Sequence, residues 1–493
     1  MIFQSFNFLL LFLPLALTAY YVSKNNGFRN IILIITSFIF YAWGNWWWAL
    51  ILIASAVVDF TLAQKINLLN QKLLISDNKQ EIDILAINRK RKIILIASIV
   101  FNISLLAFFK YWDWLIGLIE DGLFIDLTFL KHYLPLPVAI SFYTFESLSY
   151  TIDIYRKQFK PTKNFLDYLT FIAFFPKLVA GPIMRAHELL PQLTQLRKRP
   201  SYRNIEMAIF LISWGLFKKL VFADNLGHLV DRCRENINNA GVGLILAIAF
   251  SYQIYCDFSA YCDIARGVAK LFSIRLGRNF LTPYFATNAS DFFKRWNISL
   301  SSWVRDYIYI PMGGSRCSLV RNIFNLYFTM FIIGVWHGAG IFYILYGLFF
   351  ATLFLIYKVI PIHKVLPFIL GKKIGNFFSI AIMYFLICCA GGIFCSKTLN
   401  DFIDISSSFL QIKEIIFLKN SPTPEFIKLL YGLLIFVLPI LITDIIGYKR
   451  NREFVDLYPK FRGFVKISLF VVMFYLTLFL ASRGSYNCIY FQF

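Results

Sequence analysis

The stretch GVWHGAGIFYILYGLFFATLFLIYK at 334–358 decides the fold class. No Asp, Glu, Lys or Arg lies between Arg321 and Lys358, and a helix needs about 20 predominantly apolar residues to cross a bilayer. Similar runs recur along the 493-residue chain, which is 58% hydrophobic and contains 55 Phe. Soluble proteins have about 25% charged residues, whereas this chain has 15%. We therefore predict an all-α, polytopic helical bundle in a membrane.

The apolar runs predict about 11–12 transmembrane helices, together with re-entrant and amphipathic segments. We place the membrane-crossing segments at 6–22, 31–46, 48–64, 93–109, 134–152, 206–223, 241–269, 323–336, 339–357, 376–395, 426–446 and 467–482. The pair at 323–357 is equally compatible with a re-entrant hairpin.

The chain is strongly basic, with 49 Lys and Arg against 27 Asp and Glu. This charge excess is seen in nucleic-acid-binding proteins, but loops that face the cytoplasm also collect Lys and Arg. With the N-terminus outside, the alternating segments place the basic clusters at 89–92, 197–203 and 266–321 inside. We therefore expect a multi-pass protein of the cytoplasmic membrane with both termini outside, contacts with membrane lipids, and no nucleic-acid partner.

Eight Cys are distributed mostly within apolar segments, and none forms a CxxC pair. Zinc sites and disulfide frameworks both require regular cysteine spacing. The sequence therefore predicts unpaired structural thiols and no metal.

Polar residues interrupt two apolar segments, although a charge at the membrane centre costs at least about 2.5–3.5 kcal/mol. In FFPKLVAGPI at 174–183, two Pro and a Gly around Lys177 predict a broken or re-entrant segment. A structural kink is the alternative. In QIYCDFSAYCDIARG at 253–267, Gln253 and Asp257 lie one turn apart on a helical face. A satisfied hydrogen-bond network between helices is the alternative to a substrate-binding role for this face.

The segment DFFKRWNISLSSWVRDYIYIP at 291–311 is too charged to span a membrane and too aromatic for a solvated loop. It predicts an amphipathic helix at or just below the inner surface. Its side chains are suited to a site that admits an anionic, aromatic cofactor from the cytoplasm, and a lipid-anchoring helix is the alternative. This segment supplies five candidate donor- or substrate-binding residues, Arg295, Trp296, Trp303, Arg305 and Asp306. The other candidates for this role are Lys177, Gln253, Asp257 and Trp336.

His337 stands next to Trp336 in GVWHGAG at 334–340, between two apolar runs. The small residues around it allow a substrate to approach the imidazole closely. A histidine titrates near neutral pH, which suits a general base. A structural hydrogen bond from a buried histidine is the alternative.

Four motifs in this order give the chain its resemblance to a known family. RWNISLSSWVRDYIYIPMGG at 295–314, followed by GVWHGAG at 334–340, resembles the membrane-bound O-acyltransferase superfamily. FFPKLVAGPIMR at 174–185 and IYCDFSAYCDIARGVAKLF at 254–272 resemble the bacterial alginate O-acetyltransferase group, which is similar to the peptidoglycan O-acetyltransferases and teichoic acid D-alanyl transferases. The resemblance implies one transmembrane domain over 1–493, with core motifs in 134–357, in a bacterial inner membrane.

The resemblance also implies roles for Asn297 and His337, which occupy the family's paired polar and histidine positions. The bacterial group usually has His at the first position, so Asn297 is a departure. An amide cannot act as a base but can hydrogen-bond a carbonyl or orient a substrate. His337 is then the general base, and acetyl-CoA is the implied acyl donor.

The aromatic tail at 483–493 resembles the ending of this group's acetyltransferases, and the charge pattern places it outside. The family's proposed mechanism implies that Tyr490 takes the acyl group from the donor side; a packed structural tail is the alternative. The chain contains no GxSxG nucleophile motif. An extracytoplasmic SGNH-hydrolase-like acetyltransferase is therefore expected as the partner that acetylates a polysaccharide such as alginate.

Other functions are compatible with part of this pattern. D-alanyl or other acyl transfer to a cell-envelope polymer differs only in the group that is moved. A polysaccharide or lipid transporter would also have basic inside loops and broken helices, but transporters often carry internal repeats with paired broken helices. No such repeat is visible in the sequence, which favours the acyltransferase. A non-enzymatic envelope scaffold would leave the polar region around Asn297 and His337 without a purpose.

Overall fold

A computed structural model describes residues 1–74, 81–195, 197–413 and 421–482, apart from the side chains of residues 81 and 82. Within these ranges every regular element is a helix. The chain divides into two compact units, 1–208 with 265–277, and 209–264 with 278–493. The prediction of one domain over 1–493 stays a prediction.

The first unit contains helices α1 to α9. Their bounds are α1 Leu13–Val22, α2 Asn26–Ala42, α3 Trp47–Leu74, α4 Glu81–Lys110, α5 Trp112–Leu123, α6 Ile140–Tyr155, α7 Phe165–Ala173, α8 Phe175–Leu178 and α9 Ala186–Thr194. A π-helical stretch, Asn7–Phe12, precedes α1, and a short 3-10 turn, Thr128–Leu130, follows α5.

Two further helices, α10 Tyr202–Phe217 and α12 Val242–Leu271, contribute residues to both units. The remaining helices belong to the second unit. They are α11 Asp224–Glu235, α13 Ala289–Phe293, α14 Ile298–Val304, α15 Leu319–His337, α16 Ile341–Val359, α17 Ile362–Leu370, α18 Lys372–Cys395, α19 Leu399–Leu410, α20 Pro424–Arg450 and α21 Gly463–Leu480. Lys218–Ala223 and Arg305–Tyr309 are π-helical, and Pro283–Phe285 and Phe454–Lys460 are 3-10 turns.

Eight helices in the described ranges are long and apolar enough to cross a membrane: α3, α4, α12, α15, α16, α18, α20 and α21. Two shorter apolar stretches, Asn7–Val22 and Asn26–Ala42, join them. The predicted segment at 134–152 becomes helical only at Ile140, because Pro135 and Pro137 lack the backbone N–H of a regular helix. These helices confirm an all-α, multi-pass membrane protein.

The hairpin of α15 and α16 forms two full-length helices, each of 19 residues and therefore about 28 Å long. Two glycines let the helices approach closely. A Cβ atom on Gly334 would lie 2.4 Å from the carbonyl oxygen of Tyr343, and one on Gly347 would lie 2.3 Å from that of Met330. Small residues that bring two helix backbones together are typical of membrane proteins. This packing fixes the position of His337 at the end of α15.

The segment around Lys177 is broken, as predicted. Helix α7 ends at Ala173, and α8 occupies only Phe175–Leu178. The ammonium of Lys177 forms a buried ion pair with Glu146 on α6, and Glu146 also accepts the backbone N–H of Met184 at 3.0 Å. Lys177 therefore stabilises the packing of this segment within the first unit.

Candidate active site

His337 is the last residue of α15 and is only 4% exposed. Three aromatic rings meet its imidazole nearly edge to face. The ring centroids of Trp336, Tyr346 and Phe394 lie 5.0, 5.5 and 5.1 Å away, with interplanar angles of 70°, 87° and 84°. These three rings surround the imidazole with apolar surface, and Trp336 contributes one of them.

The imidazole lines a cavity of about 40 Å³ within the second unit. A water molecule needs about 10–15 Å³ measured in this way, so the cavity has room for a few water-sized groups. Its walls come from α12, α16, α18 and the segment between α12 and α14. The lining residues are Phe250, Ser251, Ile254, Tyr284, Phe292, Trp296, His337, Tyr346, Phe350, Ile387, Ala390, Gly391 and Phe394.

Trp296 brings the RWNISLSSW motif into the same cavity as His337. Its ring lies nearly parallel to those of Phe292 and Tyr284, with centroids 5.6 and 6.1 Å away. The hydroxyl of Tyr284 donates a hydrogen bond to the carbonyl of Ser251. Burial raises the pKa of this hydroxyl well above its usual value, so it is a neutral donor. The two motifs that suggested an active site are therefore adjacent in the structure.

The sequence predicts one amphipathic helix over 291–311, and the structure shows that this prediction is wrong. The segment forms the short helices α13 and α14 and a π-helical turn, and most of its apolar side chains are buried. The break falls at Asn297, whose φ of +42° is left-handed. Asn is one of the few non-glycine residues that adopt this conformation readily. The turn permits Trp296 to reach the cavity while α14 continues in a new direction.

The side chain of Asn297 is 3% exposed, and neither of its polar atoms has a hydrogen-bond partner among the described residues. Leaving a buried amide unsatisfied costs about 1–3 kcal/mol. Asn279 stabilises the turn next to it: its backbone carbonyl accepts the N–H of Ile298 at 3.0 Å, and its side chain accepts the N–H of Ser299 at 3.1 Å. Asn297 does not line the cavity around His337.

The predicted donor-binding residues differ in their surroundings. Arg295 forms an ion pair with Asp291 at 2.8 Å, and Trp303 is buried with its ring centroid 4.9 Å from that of Tyr307. Arg305 pairs with Asp306 at 2.7 Å, and 59% of the arginine side chain is exposed. The hydrogen bond with Asp306 raises the pKa of Arg305. Donor-binding roles for these residues stay predictions.

Gln253 and Asp257 lie on α12, and both are buried. A carboxylate oxygen of Asp257 lies 2.7 Å from the ammonium of Lys219, which also contacts Asp224 at 2.8 Å. Lys218 and Lys219 are site residues that were not expected from the sequence. Two consecutive Lys within the predicted segment 206–223 were the available signal, since such charges need buried partners.

Lys218 forms the second half of this buried network. Its ammonium lies 2.7 Å from a carboxylate oxygen of Asp263 and 2.7 Å from the hydroxyl of Ser259. Polar residues of α12 thus bind the π-helical stretch Lys218–Ala223, and the contact of Asp257 with Lys219 confirms a network between helices for the predicted face. Its role in substrate binding stays a prediction.

Tyr490 lies outside the described residues, so its position relative to His337 stays a prediction. Lys177 belongs to the first unit, whereas the cavity around His337 lies in the second. Among the residues that the structure describes, no group of three or more His, Cys, Asp or Glu is placed to hold a metal ion.

The fold and the site define a class of protein: a helical membrane protein with a buried histidine in an aromatic cavity. The model of the membrane-bound O-acyltransferase family (MBOAT) matches residues 158–399. The chain belongs to this family, and it is an O-acyltransferase.

The chain is similar to proteins that are named for the acylation of peptidoglycan, alginate and teichoic acid. The chain is 32% identical to a peptidoglycan O-acetyltransferase of Helicobacter pylori over 77% of its own length and 75% of the relative's. It is 35% identical to a probable alginate O-acetylase of Pseudomonas aeruginosa, over 70% and 64% of the two lengths. It is 27% identical to a teichoic acid D-alanyltransferase of Bacillus subtilis, over 53% and 69%.

Proposed function

We propose that this chain moves an acetyl group from cytoplasmic acetyl-CoA across the bacterial inner membrane, for O-acetylation of an extracytoplasmic polysaccharide such as alginate. The observation that carries the proposal is the cavity of about 40 Å³ shared by His337 and Trp296. A space of this scale suits a two-carbon acyl group and not a whole coenzyme. The names of the relatives support an acetyl group and a polymer acceptor.

His337 is the general base of the proposed reaction. Its imidazole takes the proton of an acceptor hydroxyl as the hydroxyl oxygen attacks the acetyl carbonyl carbon. The bond from carbon to the coenzyme A sulfur then breaks, and the proton passes to the departing thiolate. The amide of Asn297 orients the donor from outside the cavity, and polar groups near it stabilise the oxyanion, since one positioned donor is typically worth about 10²–10³ in rate.

The acyl group then passes to the outer face. Tyr490 is the proposed acceptor hydroxyl, and an extracytoplasmic SGNH-hydrolase-like acetyltransferase takes the group from it and acetylates the polysaccharide. On the donor side, Arg295, Arg305 and Arg316 contact the coenzyme A phosphates. Trp303 is the candidate stacking residue, whereas Trp296 lines the acyl cavity instead of stacking on the coenzyme. The exposure of Arg305 supports this role for that residue.

Turnover of radiolabelled acetyl-CoA by the purified protein in lipid vesicles tests the proposal. We expect release of coenzyme A to exceed background with the wild-type protein and to fall to background with His337→Ala. His187→Ala is the matched control, because the side chain of His187 is 49% exposed and lies in the first unit. Equal release by wild type and His337→Ala would contradict the proposal and favour a transporter.

A further inference from the structure

A second, larger cavity lies in the first unit and contains three cationic side chains. It measures about 540 Å³ and is lined by Thr18, Tyr21, Val22, Lys24, Arg29 and Arg199. Pockets of about 300–1,000 Å³ are typical of small-molecule sites. Lys24 and Arg29 belong to one predicted inside loop, and Arg199 belongs to another.

Arg29 is buried in the wall of this cavity and is only 6% exposed. Its Nε donates a hydrogen bond to the carbonyl of Ser23 at 2.9 Å, and one terminal nitrogen donates to the carbonyl of Arg197 at 2.5 Å. These two contacts orient the guanidinium but carry no negative charge. Across the described ranges, no carboxylate forms an ion pair with Lys24, Arg29 or Arg199.

A second buried guanidinium increases the positive charge behind the cavity. The guanidinium carbons of Arg29 and Arg197 lie 5.2 and 5.5 Å from the centroid of the same ring, that of Tyr20. Arg197 also donates a hydrogen bond to the side-chain oxygen of Asn30 at 2.6 Å. Burial lowers the pKa of Arg197 and the charge of Arg29 adds to that lowering, whereas Tyr20 and Asp167 oppose it.

Topology alone accounts for exposed Lys and Arg in an inside loop. It does not account for burial of a guanidinium, because a buried charge is costly unless an opposite charge compensates it. An anion in the cavity would supply that charge. Arginine binds phosphate through paired hydrogen bonds, and lysine binds it as a point charge.

We propose that this cavity is an anion site that binds a phosphate-bearing ligand through Lys24, Arg29 and Arg199. The phosphate belongs either to a soluble nucleotide or to the headgroup of an anionic lipid, and the chemistry of recognition is the same for both. The site does not depend on the proposed acetyl transfer, because its residues lie in the first unit and take no part in the step at His337.

The test removes two exposed cations of the site together, in Lys24→Ala/Arg199→Ala. The matched control is Lys160→Ala/Arg203→Ala, which removes one exposed Lys and one exposed Arg that do not line the cavity. Equal thermal unfolding midpoints would show that both variants are folded. Two probes are used at one ionic strength: adenosine 3′,5′-bisphosphate with the detergent-purified protein, and phosphatidylglycerol against phosphatidylcholine in nanodiscs.

We expect at least one probe to bind the wild type and the control with equal affinity. The same probe should bind the site variant about tenfold or more weakly, since each cation near a phosphate contributes a substantial part of a tenfold change in affinity. A loss with the nucleotide identifies a soluble ligand, and a loss with phosphatidylglycerol identifies a lipid. If neither probe distinguishes the site variant from the control, the anion site is wrong.

Discussion

The ammonium of Lys219 lies 2.7 Å from a carboxylate oxygen of Asp257, and both side chains are almost completely buried. Asp224 contacts the same ammonium at 2.8 Å. A cation shared by two carboxylates compensates charge that would otherwise be expensive inside a membrane protein. This relationship ties α12 to the π-helical stretch that precedes α11.

Lys219→Met should therefore destabilise the protein more than Asp257→Asn. Removing the lysine takes the shared cation from two buried carboxylates, and breaking a buried pair costs about 3–5 kcal/mol. The thermal unfolding midpoint in detergent measures the effect. Lys428→Met is the control, because its pair with Glu425 is exposed and should contribute almost nothing. A midpoint for Lys219→Met equal to that of the control would contradict a stabilising role for this network.

His337→Ala should abolish acetylation of the polysaccharide while the protein still inserts and purifies normally. A positioned general base contributes about 10²–10⁴ in rate, and the ring is fixed by three aromatic neighbours. His337→Gln retains a polar side chain in the cavity but has no basic nitrogen, so it should be equally inactive. Polysaccharide acetylation in cells is the measurement. Near wild-type acetylation by either variant would exclude His337 as the general base.

Asn297 has two properties that separate variants can distinguish: a buried amide and a left-handed backbone. Asn297→Ala removes the amide and also strains the left-handed backbone at this position. Asn297→Gly removes only the amide, because glycine adopts positive φ without strain. If the amide acts on the donor, both variants should lose about 10²–10³ in rate, less than His337→Ala. Acetyl-CoA turnover measures this. Full activity of the glycine variant would assign Asn297 a purely conformational role.

The sequence predicted the helices better than the site. The bounds predicted for the α15 and α16 hairpin, 323–336 and 339–357, differ from the observed ones by a few residues, because long apolar runs end where glycines interrupt them. The turn at Asn297 depends on a single backbone conformation, which residue type alone does not determine. The sequence therefore does not reveal this turn and predicts one helix over 291–311.

The ion pairs of α12 could not be predicted either. Asp257 was identified from its polar face, but its partner Lys219 lies 38 residues away in the chain. Only the packing of α12 against the π-helical stretch brings the two together. Charges buried in apolar segments can thus be recognised from sequence, whereas their pairing depends on tertiary structure.

The donor entrance is predicted to face the cytoplasm. In a background in which the eight native cysteines are replaced and acetylation is retained, Arg316→Cys should escape a membrane-impermeant thiol reagent in intact cells and react after permeabilisation. Lys397→Cys is the control, because Lys397 is exposed in a loop predicted to lie outside, and it should react in both conditions. Reaction of Arg316→Cys in intact cells would show that the predicted membrane orientation and the predicted side of the donor are wrong.

The last prediction concerns Tyr490, in the segment outside the described residues. The chain that leads to it is anchored at Ser482, whose N–H donates to the carbonyl of Leu220 at 3.2 Å and whose hydroxyl is hydrogen-bonded to His228 at 2.8 Å. Tyr490 lies eight positions after Ser482, a reach of at most about 26–29 Å. The middle of a bilayer lies about 15 Å below its surface, so this length suffices for the tyrosine to return to the core.

Tyr490→Phe should eliminate polysaccharide acetylation and leave the thermal unfolding midpoint unchanged, because it removes the hydroxyl nucleophile and retains nearly all the apolar surface. Tyr475→Phe is the matched control: this tyrosine lies on α21, its side chain is exposed, and its loss should have no effect. Acetylated polysaccharide recovered from cells is the measurement. Tyr490→Phe removes only the hydroxyl that is proposed to accept the acyl group. Full acetylation by this variant would therefore mean that the acyl group passes directly to the extracytoplasmic partner.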